Sequence, residues 1–251
     1  MTNKIIVSRE GAVLSLELNR PDKKNALDRG MYETLMAEMA GAEANDGVRA
    51  VLLRGAGGAF TGGNDLADFL GVPDDFASFP ALRFVKALAA FEKPLVAAVA
   101  GDAVGVGTTL LFHCDLVYAA PTARFKMPFV DLGVPPEAGA SLLVPRRLGR
   151  AKAAQFLMLC ESFGAQEAER LGVVNAIAPA DELMSVALEA AQRLAAKPAA
   201  AVAATRRLLR GDPKEILARI DEEAALFAQM LADPGTRARL EAFLADRRGN
   251  P

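Results

Sequence analysis

Glu137, in LGVPPEAG (132–139), is the side chain in this sequence best placed to move a proton. Pro135 and Pro136 precede it, and Ala138 and Gly139 follow, a stiff setting of small residues. Partial desolvation raises the proton affinity of a carboxylate in such a place, which suits a group that moves protons. The alternative is an acid favoured at a helix N-terminus by the macrodipole. Two glycine-rich turns precede it, in VLLRGAGGAFTGGNDL (51–66) and PLVAAVAGDAVGVGTTLL (94–111). Each follows an apolar run, 51–53 and 95–100, as buried strands do when they end in loops whose backbone approaches something closely. Two such turns can aim two backbone N–H groups at one point, and that arrangement stabilises an oxygen anion. The alternative is a pair of ordinary turns.

The remaining reactive side chains carry less. His113 is the sole histidine and falls at the far end of the helix expected after the second glycine turn, so it reads as structural; a catalytic base must reach its proton. Cys114 and Cys160 lie in apolar stretches and read as small core residues of a reducing compartment. One histidine and two cysteines make no zinc site, so no metal is expected. Lys23 and Lys24 are candidates for phosphate contacts, with solvated loop charge as the other reading. Asp65 reads as a turn acid bonded to nearby backbone. Phe227 and Phe243 read as core, with contact to an acyl chain as the alternative. A dinucleotide fingerprint fails on spacing: Phe60 interrupts the first turn, Leu110 the second, and no G-K-[ST] follows either.

The elements that must position these groups follow from periodicity. Strands are expected over 4–8 and 12–18, around a turn at Glu10–Gly11. Asn25 is expected to cap a helix over 26–44, with Asp28 in its first turn and Leu27, Met31, Leu35 and Met39 at helical spacing. A strand over 48–54 completes a right-handed crossover unit. Residues 65–79 combine acids, Phe and Pro and read as a mobile, lid-like segment. Further helices are expected over 82–91, 106–113, 141–148, 151–159 and 165–171, and strands over 95–100, 116–119, 124–126 and 173–177. From 182 on, only helices are expected, over 182–196, 199–209, 214–232 and 236–247. The shift near Pro198 divides a core of residues 1–197 from a helical region of residues 198–251.

With 251 residues, 52% of them hydrophobic, the chain can bury a large core without staples. A net charge of −2 implies no nucleic-acid or membrane-surface partner. The N-terminus lacks the pattern of a signal or transit peptide, RRGNP is no peroxisomal tripeptide, and no apolar stretch is long enough to span a bilayer. A soluble cytoplasmic protein is expected.

Three motifs, FTGGNDL (60–66), AVAGDAVGVGTTLLFHCDLVYAA (98–120) and LGVPPEAG, resemble the crotonase superfamily of enoyl-CoA hydratase/isomerases. The resemblance runs from NRPDKKNAL (19–27) to RLGVVNAI (170–177), and GGNDL and PPEAGAS are most similar to peroxisomal-type Δ3,Δ2-enoyl-CoA isomerases and their bacterial relatives. It implies an α/β crotonase spiral of strand–strand–helix units with a helical C-terminal region used in trimerisation, hence a homotrimer or dimer of trimers. It implies an acyl-CoA thioester substrate and no cofactor besides the CoA the substrate carries. The oxyanion donors it implies are the backbone N–H groups of Asn64 and Val106, where Val106 departs from the usual glycine but keeps the N–H. Contacts to CoA would come from Lys23, Lys24, Ala26, Thr61, Gly62, Gly63, Asp65 and Leu66, and pocket walls from Thr109, Phe129 and Pro136. The two glutamates of the hydratase branch fall on Thr109 and Phe129, neither of which is a carboxylate. Glu137 falls where the isomerase branch shuttles a proton from C2 to C4. The implied activity is Δ3,Δ2-enoyl-CoA isomerisation. Hydration, thioester hydrolysis, or a non-catalytic acyl-CoA-binding or assembly role stand as alternatives.

Overall fold

The computed structural model describes residues 3–71 and 76–249. Strands β1 (Ile5–Glu10) and β2 (Val13–Leu18) form an antiparallel hairpin, with Ile5 opposite Leu18. Helix α1 (Arg29–Ala44) returns the chain to β3 (Ala50–Gly55), which runs parallel to β2. Helix α2 (Pro80–Ala90) then leads to β4 (Leu95–Val99), parallel to β3. Next come β5 (Asp102–Val104), α3 (Val106–Thr109), β6 (Leu116–Ala119), β7 (Arg124–Lys126), α4 (Ala140–Leu148) and α5 (Arg150–Leu157). The short elements β8 (Phe163–Gly164), α6 (Ala165–Arg170) and β9 (Ala176–Ile177) precede four helices: α7 (Leu183–Ala195), α8 (Ala199–Arg210), α9 (Pro213–Leu231) and α10 (Pro234–Gly249). The larger sheet has the order β1-β2-β3-β4-β6-β9, and the smaller one β5-β7-β8. Successive units β4–β5–α3 and β6–β7–α4 each give one strand to each sheet and then a helix.

The larger sheet is covered on both faces, which explains why its strands read as unbroken apolar runs. Val51, Leu53, Leu95 and Ala97 point into the main core with α1 and α2. Val13, Leu52, Val96 and Ala98 pack on the other side against Leu183, Ala187 and Ala191 of α7. Helix α9 lies against α2 and α4 and adds Ile216, Ile220, Phe227 and Leu231 to the main core.

Several local expectations need correction. Asn25 caps no helix: α1 starts at Arg29, and Asp28 is its cap, its Oδ1 accepting from the Met31 N–H at 3.0 Å. Asn25 is buried in a left-handed conformation (φ 56°). Its carboxamide accepts from the Arg20 N–H and donates to the carbonyls of Ala56 and Ala59, each at 2.8 Å. A group with both donors and an acceptor can tie three backbone groups of two loops, so this role outcompetes capping. The helix expected over 106–113 winds as α only to Thr109 and tightens into a 3-10 turn over Leu110–His113. The strand expected over 173–177 shrinks to Ala176–Ile177. In the segment expected to be lid-like, Leu66–Gly71 and Phe76–Ser78 are 3-10 turns, and residues 72–75 lie outside the described residues. Phe69 and Phe76 pack on Phe227 of α9, with ring centroids 5.7 and 5.8 Å away.

Candidate active site

The two glycine-rich turns are stitched together. Thr61 pairs with Ala103 in a parallel bridge. The N–H groups of Phe60 and Thr61 both donate to the Asp102 carbonyl, and the Val104 N–H donates to the Thr61 carbonyl at 3.0 Å. Three residues beyond that bridge, the two chains reach Asn64 and Val106. Close backbone contact dictates glycine here: a Cβ on Gly63, at φ +88°, would stand 2.5 Å from the Val104 carbonyl oxygen. Gly63→Ala is expected to cost about 2 kcal/mol of stability through that contact and the left-handed backbone, seen as a lower urea midpoint.

Among the described residues, neither the Asn64 nor the Val106 N–H has an acceptor. Val106 opens α3, whose first N–H groups have no intrahelical partner. Asn64 lies opposite Leu27, and the bonds there go through the flanking Gly63 carbonyl and Asp65 N–H instead. These turns border a cavity of ≈ 230 Å³ lined by Gly62, Gly63, Asn64, Gly105, Phe129 and Phe227, among others. A second, tighter space holds Glu137 among Phe69, Phe79, Leu82, Ile220 and Phe227. Phe69 and Phe227 line both spaces and so form the wall between them.

Burial in these apolar walls pushes the Glu137 carboxyl up to about 8; the Glu223 carboxylate adds to the rise, and a hydrogen bond from Thr109 opposes it. The Thr109 hydroxyl donates to Glu137 Oε1 at 3.3 Å. The turn after Glu137 is left-handed at Ala138 (φ 61°) and Gly139 (φ 72°). His113 holds it: Nε2 donates to the Ala138 carbonyl at 2.7 Å, and burial pulls the imidazole down to about 4, so it is neutral. The N-terminus of α4 is occupied by Glu223, which accepts from the N–H groups of Gly139 and Ser141. Glu137 therefore does not serve as the acid of that helix end, and its carboxylate lines the tighter apolar space beside Thr109.

The other positions singled out from the sequence are spread along the same turns. Thr61 is fully buried; its hydroxyl donates to the Asn25 carbonyl at 2.7 Å and accepts from the Gly63 N–H at 3.1 Å. The Gly62 N–H donates to the Lys24 carbonyl, and the Lys24 ammonium pairs with Asp102 at 3.1 Å. Lys23 is exposed beside it. Asp65 pairs with Arg20 at 2.7 Å, and Arg20 also donates to the Ala26 carbonyl. Leu66 and Phe129 line the larger cavity, and Pro136 stands half-buried directly before Glu137. Two residues escaped the sequence reading. Tyr32 is buried on α1, and its hydroxyl donates to Asn64 Oδ1. Glu223 is the other. A hydroxyl or carboxylate on an otherwise apolar helical stripe is the only signal that marked them. Among the described residues there is no cluster of His, Cys, Asp or Glu suited to a metal ion, and no helix long and apolar enough to cross a membrane.

A sequence model of the family described as enoyl-CoA hydratase/isomerase matches residues 8–249. The chain is 33% identical to the 2,3-dehydroadipyl-CoA hydratase of Escherichia coli, over 98% of this chain and 97% of that protein. It is 36% identical to enoyl-CoA delta isomerase 2 of Rattus norvegicus, over 87% of this chain but 57% of the rat protein. The solved structure of Pseudomonas aeruginosa OdaA matches with a TM-score of 0.93 at 43% identity, covering 96% of this chain and 99% of that one. The chain belongs to the enoyl-CoA hydratase/isomerase family and has the α/β crotonase fold its motifs pointed to.

Proposed function

We propose that the protein is a Δ3,Δ2-enoyl-CoA isomerase in which Glu137 is the proton shuttle. The observation that carries this reading is the Glu137 carboxylate in the apolar space next to the cavity, with the Thr109 hydroxyl as its hydrogen-bond donor. Thr109 and Phe129 stand where the hydratase branch has its glutamates, and both oxygens of Glu223 are engaged by the Gly139 and Ser141 N–H groups. In the reaction, the Glu137 carboxylate removes a proton from C2 of a 3-enoyl thioester. The electron pair moves onto the thioester oxygen, which the Asn64 and Val106 N–H groups stabilise. As the oxyanion collapses, the C1–C2 π pair of the enolate becomes the C2–C3 double bond, and the C3–C4 π pair takes the proton back from the Glu137 carboxyl at C4. No atom is gained or lost. Apolar walls around Glu137 keep water from adding to the product. Lys23 and Lys24 would meet the CoA phosphates.

Because the ionised carboxylate removes the C2 proton, kcat/KM is expected to rise with pH and level off above about 8. The test of function is to incubate the protein with a 3-enoyl-CoA and follow the conjugated 2-enoyl thioester. Failure to form it while the thioester still binds would remove the isomerase reading. The end-to-end similarity to a 2,3-dehydroadipyl-CoA hydratase favours hydration as the second reading. Mass analysis separates them, since hydration yields a 3-hydroxyacyl-CoA.

A further inference from the structure

We propose that Glu223 is the positioning residue for Glu137: from α9 it clamps the turn that carries the base and sets a second negative charge beside it. The inference rests on the reading of Glu137 as the shuttle. Glu223 is 4% exposed, and among the described residues no cation lies within salt-bridge distance of it, although Arg219, paired with Glu222, acts on it from one turn away. Its Oε2 accepts from the Gly139 N–H at 2.7 Å and its Oε1 from the Ser141 N–H at 2.8 Å. Burial raises the Glu223 carboxyl, while hydrogen bonds from Ser141 and the Gly139 N–H and the nearby Arg219 guanidinium oppose the rise and favour the ionised carboxylate. Between Glu137 and Ser141 lie two left-handed residues, the anchor Gly139 and the non-glycine Ala138. Such a backbone persists only where its surroundings over-determine it. Here the determinants are Glu223 on one side and His113, bonded to the Ala138 carbonyl, on the other.

The charge argument is equally local. Thr109 on α3 is neutral, and burial keeps His113 neutral after α3 and the Tyr32 phenol neutral on α1. Asp28 and Asp68 act on Tyr32, and Arg219, a turn before Glu223, reaches the Ser141 hydroxyl at 3.3 Å. Among the described residues, Glu223 is the charged side chain that acts on Glu137, and the two line the same apolar space. Like charges at one site raise proton affinity, which makes the shuttle a stronger base.

Glu223→Gln keeps the size, removes the charge and sets an amide N–H₂ against one backbone N–H. A ¹³C-carboxyl NMR titration, with the Glu137 signal assigned by its loss in Glu137→Gln, reads the effect without turnover. The Glu137 midpoint is expected to fall by roughly one pH unit, a tenfold change in proton affinity. On 3-enoyl-CoA, kcat is expected to fall at least tenfold with KM changed less than about threefold. A folded Glu223→Gln protein with an unchanged midpoint overturns the proposal. If that variant does not fold, Glu223→Asp replaces it: the charge stays, so the midpoint stays near 8, but the shorter arm loosens the turn and kcat falls at constant KM. Full activity in Glu223→Asp then overturns the proposal. Failure of the isomerase reading is seen separately, as wild-type protein that does not convert 3-enoyl-CoA while the titration still reports on the pair.

Discussion

Glu137→Gln is expected to lower kcat for 3-enoyl-CoA isomerisation by about 10³–10⁴-fold, the upper range for loss of a general base, with KM nearly unchanged. Gln matches Glu in size and can still accept from the Thr109 hydroxyl, so the cavity keeps its shape while the proton carrier is gone. The same variant has an opposite effect on stability. In the folded chain the Glu137 carboxyl stays protonated up to about 8, against 4.5 for a carboxyl in water. Between those values the folded state binds more protons than the unfolded one, so stability falls as pH rises through the window. It is fully present below 4.5 and has been lost above 8. Glu137→Gln has no such penalty. It is expected to match the wild type near pH 4 and to exceed it at pH 9 by on the order of 2–4 kcal/mol. Urea unfolding of both proteins at the two pH values measures this. An inactive but stabilised variant is the signature of a carboxylate kept for chemistry. A variant that is inactive and destabilised at pH 9 would mean that Glu137 holds the fold.

What the sequence disclosed, and what it hid, divides by how far a residue's partners lie along the chain. The glycine turns announced themselves because each follows its own apolar strand, and the family resemblance of their motifs singled out Asn64 and Val106 on them. Glu137 stood out through its immediate neighbours. Asn25 was misread because a local rule, an amide before an apolar periodic run, also fits a helix cap. Two of its three partners, Ala56 and Ala59, lie more than 30 residues away. Strand β5 was hidden inside the second turn because its three residues are defined by pairing with β7 and by the bridge from Ala103 to Thr61. Glu223 is the extreme case. It lies 84 residues from Gly139 on a helix with many other charges, and only docking of α9 onto α4 reveals that it is buried. Tyr32 follows the apolar stripe of α1, and nothing on that helix says that its hydroxyl meets Asn64. The turns and the candidate residues on them were readable, and the groups that hold those turns in register were not.

Val106→Pro is expected to lower kcat by about 10²–10³-fold, equivalent to the 2.7–4 kcal/mol typical of one oxyanion donor. The substitution is chosen because it removes one atom pair, the N–H, at a position that accepts proline. Val106 is the first residue of α3, where proline's fixed φ suits the helix and its missing N–H breaks no helical bond. The preceding residue is Gly105, which has no Cβ to clash with the proline ring. The side chain at 106 is fully buried, so Val106→Ala is the matched control: it loses comparable packing but keeps the N–H. Val106→Ala is expected to stay within a few-fold of wild type, and Val106→Pro to fall far below it, while both bind a saturated acyl-CoA with similar affinity. That pattern would place the lost energy in the transition state, where negative charge has moved onto the thioester oxygen, and not in the ground-state complex. Equal losses in the two variants would assign the effect to packing at the start of α3 and leave Asn64 as the only donor of the pair still supported.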